Sequence, residues 1–169
     1  MKAEEIKFKG IRVDNGEWVY GDLVHYFFIK IGKRTDYVSI GIDLDFYEVI
    51  PETVCQFTTL KDKNCVEIYK DDKFQYHEHE GFILPDFTGE ILFRDGCFGY
   101  VATSENMGEA FHSFSEFDEL QADFLNHIEI IGNVHDKARQ KQALIDMMRG
   151  DEEIGLYDDK INNNELHTN

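Results

Sequence analysis

Residues 6–31 read IKFKGIRVDNGEWVYGDLVHYFFIKI, a stretch in which two β-rich segments flank a turn. In the first segment, apolar Ile6 and Phe8 alternate with lysines, which is the period of a half-buried strand. The pair Asn15-Gly16 then supplies two residues that adopt positive φ more readily than most, as tight hairpin turns require. The stretch therefore predicts an antiparallel β-hairpin at the start of the chain.

Short strands and turns continue well beyond this hairpin. Pro51 marks a strand end or an edge strand, because proline cannot donate to the hydrogen-bond ladder. A second hairpin is indicated in residues 89–103, GEILFRDGCFGYVAT, where Asp95-Gly96 supplies the turn. We therefore predict a mostly β (α+β) fold built on an antiparallel, barrel-like sheet over residues 1–103.

After this region the apolar period changes from that of strands to that of a helix. The apolar residues that would share one helical face are Phe117, Leu120, Phe124 and Leu125. Ser115 is a candidate N-cap for this helix. Residues 128–134, IEIIGNV, are typical of a short strand, and a second helix is indicated from Asp136 to Arg149. The C-terminal part is thus predicted to contain two helices that flank one strand.

Length and composition fit a single domain. The chain has 169 residues, of which 42% are hydrophobic, enough to build a core. We place one domain at residues 1–150, with its β-rich part at 1–103 and its helix–strand–helix part at 115–149. Residues 151–169 are acidic and rich in asparagine, and we expect a loosely ordered tail there.

Charge and hydropathy limit the partners and the compartment. The chain has 34 acidic and 17 basic residues, a formal charge of −17. Such a surface repels phosphate backbones, so we expect no direct binding to nucleic acid. No apolar run approaches the roughly 20 residues of a membrane span, and we expect no membrane association. The N-terminus lacks a secretory pattern, so we expect a cytoplasmic protein with reduced Cys55, Cys65 and Cys97.

The segment HEHEG, residues 77–81, is the most prominent metal-binding candidate. His77 and His79 stand two positions apart, so on a strand both would lie on one face and could bind one ion. The segment lacks the HExxH spacing and has no evident third ligand. We favour a solvated loop and expect no catalytic residue, no cofactor and no metal, with a metal-dependent hydrolase based on HEHE as an alternative.

The segment GEWVYGD, residues 16–22, contains a possible interaction surface. Trp18, Tyr20 and Asp22 alternate along a predicted strand, and an exposed tryptophan and tyrosine beside carboxylates could bind a partner. Aromatic alternation is also typical of half-buried strands. We favour packing of the two aromatic rings against the core and retain the three residues as the possible interaction surface.

Three blocks together resemble one protein family. They are IKFKGIRVDNGEWVYGDLVH (6–25), YEVIPETVCQFTTLKDKNCVEIYKDD (47–72) and EIIGNVHD (129–136). Their order and spacing are similar to those of the YopX-like proteins of bacteriophages and prophages. The resemblance implies a mostly β fold with a barrel-like part, helical additions and an oligomeric state. It implies no catalytic residue.

The middle block departs from the family pattern at four positions. Where the family usually has glycine, this chain has Cys55, Thr59, Cys65 and Asp71. A glycine after Asn64 would adopt positive φ at little cost, whereas a cysteine there is strained or requires a wider turn. These departures concern loop geometry and leave the expected fold unchanged.

The function expected from these observations is that of an accessory protein without catalysis. We predict a prophage-encoded protein that acts through protein–protein contacts and self-association, as a homo-oligomer with a further, unidentified protein partner. An alternative is that the acidic surface mimics nucleic acid and serves as a decoy for a host DNA-binding protein.

Overall fold

The computed structural model describes residues 6–80, 85–103, 110–114, 119–139 and 141. The secondary structure of these residues is predominantly β. The strands are β1 (Phe8–Ile11), β2 (Trp18–Lys30), β3 (Lys33–Ile42), β4 (Asp45–Glu48), β5 (Cys55–Lys61), β6 (Glu67–Tyr69), β7 (Asp72–Tyr76), β8 (Phe87–Arg94), β9 (Cys97–Ala102), β10 (Phe111–Ser113) and β11 (Ile128–Asn133). One α-helix, α1, spans Glu119–His127, a 3-10 turn spans Pro51–Thr53, and residues 136–139 are helical.

Six strands form an antiparallel sheet in the order β4-β3-β2-β1-β5-β6. The predicted first hairpin is confirmed, since β1 pairs with β2 from Phe8↔Gly21 to Ile11↔Trp18. Its turn closes where the Arg12 N–H donates to the Glu17 carbonyl at 2.9 Å. Gly16 adopts a φ of 70° in this turn, which explains the need for glycine there.

The other five strands form a second antiparallel sheet in the order β10-β9-β8-β7-β11. The second predicted hairpin is confirmed, because β8 and β9 pair up to Arg94↔Cys97 on either side of Asp95-Gly96. Both turn residues have positive φ, 54° and 86°, as a tight hairpin turn requires.

The barrel-like closure expected for residues 1–103 is not confirmed, because the described strands form two open sheets. The chain crosses from one sheet to the other at Lys70 and Asp71. The Lys70 N–H donates to Gln56 in the first sheet, and the Asp71 N–H donates to Ile91 in the second. Asp71 accommodates this crossing with a φ of 64°. The second sheet is completed by β11, a C-terminal strand that the expected N-terminal barrel did not include.

Helix α1 covers one face of the second sheet and forms the larger core with it. The ring of Phe124 stacks on Tyr100 at a centroid distance of 4.4 Å and meets Phe74 edge-on at 5.5 Å. Leu125 is also buried, as the helical periodicity predicted. Close packing also explains Gly89, because a Cβ there would lie 2.5 Å from the Phe74 ring.

Several C-terminal predictions fall partly outside the described residues. Ser115 and Phe117 lie outside them, as do residues 142–150 of the predicted second helix and the predicted tail at 151–169. Residues 136–139 are helical, in line with a second helix that begins at Asp136. Within the described part of the chain, no helix combines the length and the apolar composition that a bilayer-spanning segment needs.

Candidate functional site

The distal half of the β2–β3 hairpin extends beyond the rest of the first sheet as a two-stranded ribbon. Strand β2 pairs with β1 only up to Gly21, and β3 pairs with β4 only from Ser39. The two strands pair with each other as far as Lys30↔Lys33. We call residues 23–38 the arm. No third strand pairs with the arm among the residues that the structure describes.

The arm exposes large apolar side chains near its tip. Phe27, Phe28, Ile29 and Ile31 are 51%, 62%, 68% and 97% exposed. On one face of the ribbon, Phe28 meets Tyr37 edge-on at 5.8 Å, so the aromatic rings form a continuous surface. Phe27 and Ile29 alternate with Phe28 along β2 and therefore lie on the opposite face of the ribbon. Exposed apolar side chains on both faces make the arm a candidate for contact with a partner.

The arm also differs in charge from the rest of the chain. It contains Lys30, Lys33 and Arg34 against a single acidic residue, Asp36, which gives a formal charge of +2 in a chain of −17. Arg34 pairs with Asp36 at 2.7 Å, while its guanidinium lies 4.2 Å from the centre of the Phe27 ring. The tip therefore combines apolar and cationic groups.

At the base of β2, the residues of the predicted interaction surface line two adjoining concavities. Trp18 and Tyr20 line one of about 370 Å³, and Tyr20 and Asp22 line a second of about 440 Å³. Tyr20 is half exposed, whereas Trp18 packs against the small core cluster around Cys55. The carboxylates that line these concavities are Asp22, Asp43, Glu67, Asp72 and Asp136. We call this surface the acidic face.

A buried ion pair forms the floor of the acidic face. Lys9 lies 4.9 Å and 4.8 Å from the ring centres of Trp18 and Tyr69, and its Nζ is 2.5 Å from Asp72 Oδ1. Asp72 also accepts hydrogen bonds from the backbone N–H of Tyr69 and from the Asn133 side chain, at 2.8 Å and 2.9 Å. Burial raises the pKa of Asp72, and these donors oppose the shift. Residues of both sheets therefore form this ion pair and its hydrogen bonds.

A cysteine, an aspartate and a histidine meet beside this floor. Asp71 Oδ2 lies 2.5 Å from Lys70 Nζ and 3.1 Å from His135 Nε2, and the Cys55 thiol points toward the same oxygen at 3.8 Å. Burial and the nearby Asp71 raise the pKa of Cys55 to about 12. A thiol in this state is protonated at neutral pH, which makes Cys55 a poor nucleophile.

The two histidines of HEHEG lie beside different carboxylates. His77 Nε2 lies 3.7 Å from Glu129 of β11, whereas His79 Nε2 lies 3.0 Å from Asp123 of α1. The ring of His79 stacks on His127 at a centroid distance of 3.5 Å. The cluster that forms therefore combines His79 with two residues of α1, and not with His77.

Sequence reasoning missed the exposure of the arm and the burial of Lys9. The run YFFI at residues 26–29 lacks the alternation of a half-buried strand, a signal that either complete burial or an interface would produce. The alternation of apolar residues and lysines in β1 predicts that the lysines point to solvent. Lys9 is nevertheless only 6% exposed. Its partner Asp72 lies 63 residues away, and local patterns carry no information about such a pairing.

Comparisons with known proteins concern the same region. The family model described as YopX protein matches residues 7–140, a segment that includes both the arm and the acidic face. No curated protein matches the sequence. Among solved structures, the chain is similar to the crystal structure of protein EF1440 from Enterococcus faecalis, with 23% identity and a TM-score of 0.42. That match covers 79% of this chain and 95% of the other.

Proposed function

This chain belongs to the YopX family, and from that premise we propose that it is a prophage-encoded, non-catalytic accessory protein that acts through protein–protein contacts, first of all with itself. The partner is a second copy of this chain, and the contact joins the arm of one copy to the acidic face of the other. One observation carries the proposal: the arm is an exposed, apolar and cationic two-stranded ribbon.

The arm has an energetic reason to bind a partner. A two-stranded hairpin is at best marginally stable in water unless a further strand or a packed face supports it. Phe27, Phe28, Ile29 and Ile31 leave most of their surface in water. Full burial of one such side chain contributes about 1.5–3 kcal/mol, so the four together supply several kcal/mol toward association.

Charge complementarity favours a second copy as the partner. A chain of −17 repels other copies of itself wherever its acidic surfaces meet. The arm, at +2, has a charge opposite to that of the carboxylates of the acidic face. Because the arm and the face are different surfaces, reciprocal exchange between two copies yields a closed dimer with twofold symmetry.

The ionisable groups in and beside the acidic face support the non-catalytic part of the proposal. Asp72 contacts Lys9 and Asn133, and Asp71 contacts Lys70 and His135. The raised pKa of Cys55 keeps its thiol protonated. These groups stabilise one another and hold the two sheets together, which suits a binding surface.

Light scattering coupled to size-exclusion chromatography tests the proposal. The unaltered chain is expected to elute at twice its protomer mass. The double variant Phe28→Ser/Ile29→Thr, which removes apolar surface from the tip, is expected to elute as a monomer. Phe93→Ser is the matched control, because Phe93 is 49% exposed and lies outside the arm. A monomeric unaltered chain at high protein concentration would contradict self-association.

A further inference from the structure

A second cluster of polar side chains lies away from the acidic face, where α1 meets the loop after β7. Asp123 and His127 are four residues apart on α1, so both side chains lie on one helical face. His79 approaches them from the loop, and one ligand atom from each of the three residues lies within 4.8 Å of the others. We call these three residues the histidine site.

A backbone carbonyl lies beside the Nδ1 atom of each imidazole ring. His127 Nδ1 lies 2.7 Å from the backbone carbonyl of Asp123, and His79 Nδ1 lies 3.3 Å from that of Glu80. A carbonyl oxygen only accepts, so where Nδ1 donates to it, Nε2 is the nitrogen available to bind an ion. Histidines that bind metals are commonly oriented in this way, by an N–H bond to a backbone carbonyl.

The carboxylate of Asp123 completes a set of electron-pair donors. Its Oδ2 is buried and accepts no hydrogen bond from the described part of the chain. This oxygen lies 3.0 Å from His79 Nε2, so one cation can contact both atoms.

A buried phenol lies beside the cluster. The Tyr76 hydroxyl is buried and has no hydrogen-bond partner among the described residues. The ring of Tyr76 lies 6.2 Å from that of His79 and 6.5 Å from that of His127. Buried hydroxyls are nearly always hydrogen-bonded, and a water molecule bound to an ion at the histidine site would provide the partner.

We propose that His79, Asp123 and His127 bind one divalent transition-metal ion, of which Zn²⁺ is the natural probe. Two imidazoles and one carboxylate are a common zinc donor set, and three protein ligands leave a fourth position for water. Nitrogen donors disfavour Mg²⁺ and Ca²⁺, which prefer oxygen. The side chains are 20%, 34% and 29% exposed, so a bound ion would be largely shielded from solvent. The bound ion would connect the loop after β7 to α1.

His77 supplies the control that separates this site from a general affinity of histidines for metals. It belongs to the same HEHEG segment and is also partly exposed, but it lies beside Glu129 on β11. Zinc binding is independent of self-association, because neither the arm nor the acidic face contributes a ligand.

Isothermal titration of the full chain with Zn²⁺ tests the proposal. One ion per chain is expected to bind with low-micromolar affinity or tighter. His79→Asn, His127→Asn and Asp123→Asn are each expected to weaken binding by more than about tenfold, whereas His77→Asn changes it by less than about twofold. Circular dichroism of each variant establishes that it is folded. Absence of zinc binding, or an equal loss in His77→Asn, would overturn the proposal.

Substitution with Co²⁺ identifies which donors hold the ion. Ligation by nitrogen and oxygen predicts visible d–d absorption that Cys55→Ser leaves unchanged and His127→Asn abolishes. An absorption band from sulfur-to-cobalt charge transfer that disappears in Cys55→Ser would instead place the ion at Cys55, Asp71 and His135. That result would overturn the assignment to the histidine site.

Discussion

Lys9 of β1 and Asp72 of β7 form a buried ion pair that joins the two sheets, with 2.5 Å between Nζ and Oδ1. Transfer of both charges out of water is unfavourable, and the pair is stable only where further hydrogen bonds satisfy the carboxylate. Tyr69 and Asn133 donate those bonds. The contact between the sheets therefore depends on a polar network as well as on apolar packing.

Replacement of Asp72 by alanine is expected to lower the free energy of unfolding by about 3–5 kcal/mol, because the Lys9 ammonium remains buried without its counterion. Urea denaturation measures the difference. Asp45→Ala is the matched control, since Asp45 is exposed on β4. A loss for Asp72→Ala no greater than that of the control would show that the ion pair does not hold the sheets together.

Cys55 and Cys65 are expected to react with iodoacetamide at different rates. Cys65 is exposed, whereas Cys55 is buried and its pKa is raised to about 12. At pH values well below that pKa the Cys55 thiolate is scarce, so its alkylation in the folded protein should be much slower than that of Cys65. Mass spectrometry of peptides from a time course gives both rates. Equal rates would contradict the burial of Cys55, and unfolding in urea should make the rates similar.

Substitution of Cys65 by glycine is expected to stabilise the protein by roughly 0.5–1 kcal/mol, because the residue has a left-handed φ of 63° that glycine adopts without strain. Asp71→Gly is the informative contrast. Asp71 has a similar φ of 64°, but this substitution removes the contacts with Lys70 and His135. Thermal unfolding should show a gain for the first variant and none for the second. A gain for Asp71→Gly would show that its ion pairs contribute little.

Reversal of charge is expected to reveal which surfaces meet in the proposed dimer. Lys33→Glu on the arm and Asp22→Lys on the acidic face should each weaken self-association by about tenfold or more, because like charges then face each other. A mixture of the two variants should regain affinity by forming heterodimers in which one arm contact keeps the original charges and the other has the two charges exchanged. Sedimentation velocity measures all three samples. Two weakened variants without recovery in the mixture would argue against contact between these surfaces.

Local signals account for the parts of the fold that the sequence predicted. The two hairpins follow from Asn15-Gly16 and Asp95-Gly96, and α1 follows from its 3.6-residue period, since neighbours in the chain determine each of these elements. Left-handed φ values of 72°, 63° and 64° at Thr59, Cys65 and Asp71 also match positions where the family pattern has glycine.

Contacts between distant residues account for the parts that the sequence did not predict. Strand β11 was expected, but its pairing with β7 and the division into two sheets depend on partners more than fifty residues apart. The meeting of His79 with His127 is of the same kind. Asp123 and His127 do have a helical spacing that the sequence displays, yet a loop ligand has no such periodicity.

The central claim is that the arm of one copy lies on the acidic face of another. A photoreactive phenylalanine analogue at position 28 tests it most directly, in a mixture of isotopically light and heavy chains that identifies intermolecular peptides. The same analogue at position 93 is the control. The account predicts cross-linked dimers in which position 28 is joined to residues 18–22 of the other copy. Chains that remain monomeric after irradiation, or that cross-link only from arm to arm, would contradict it.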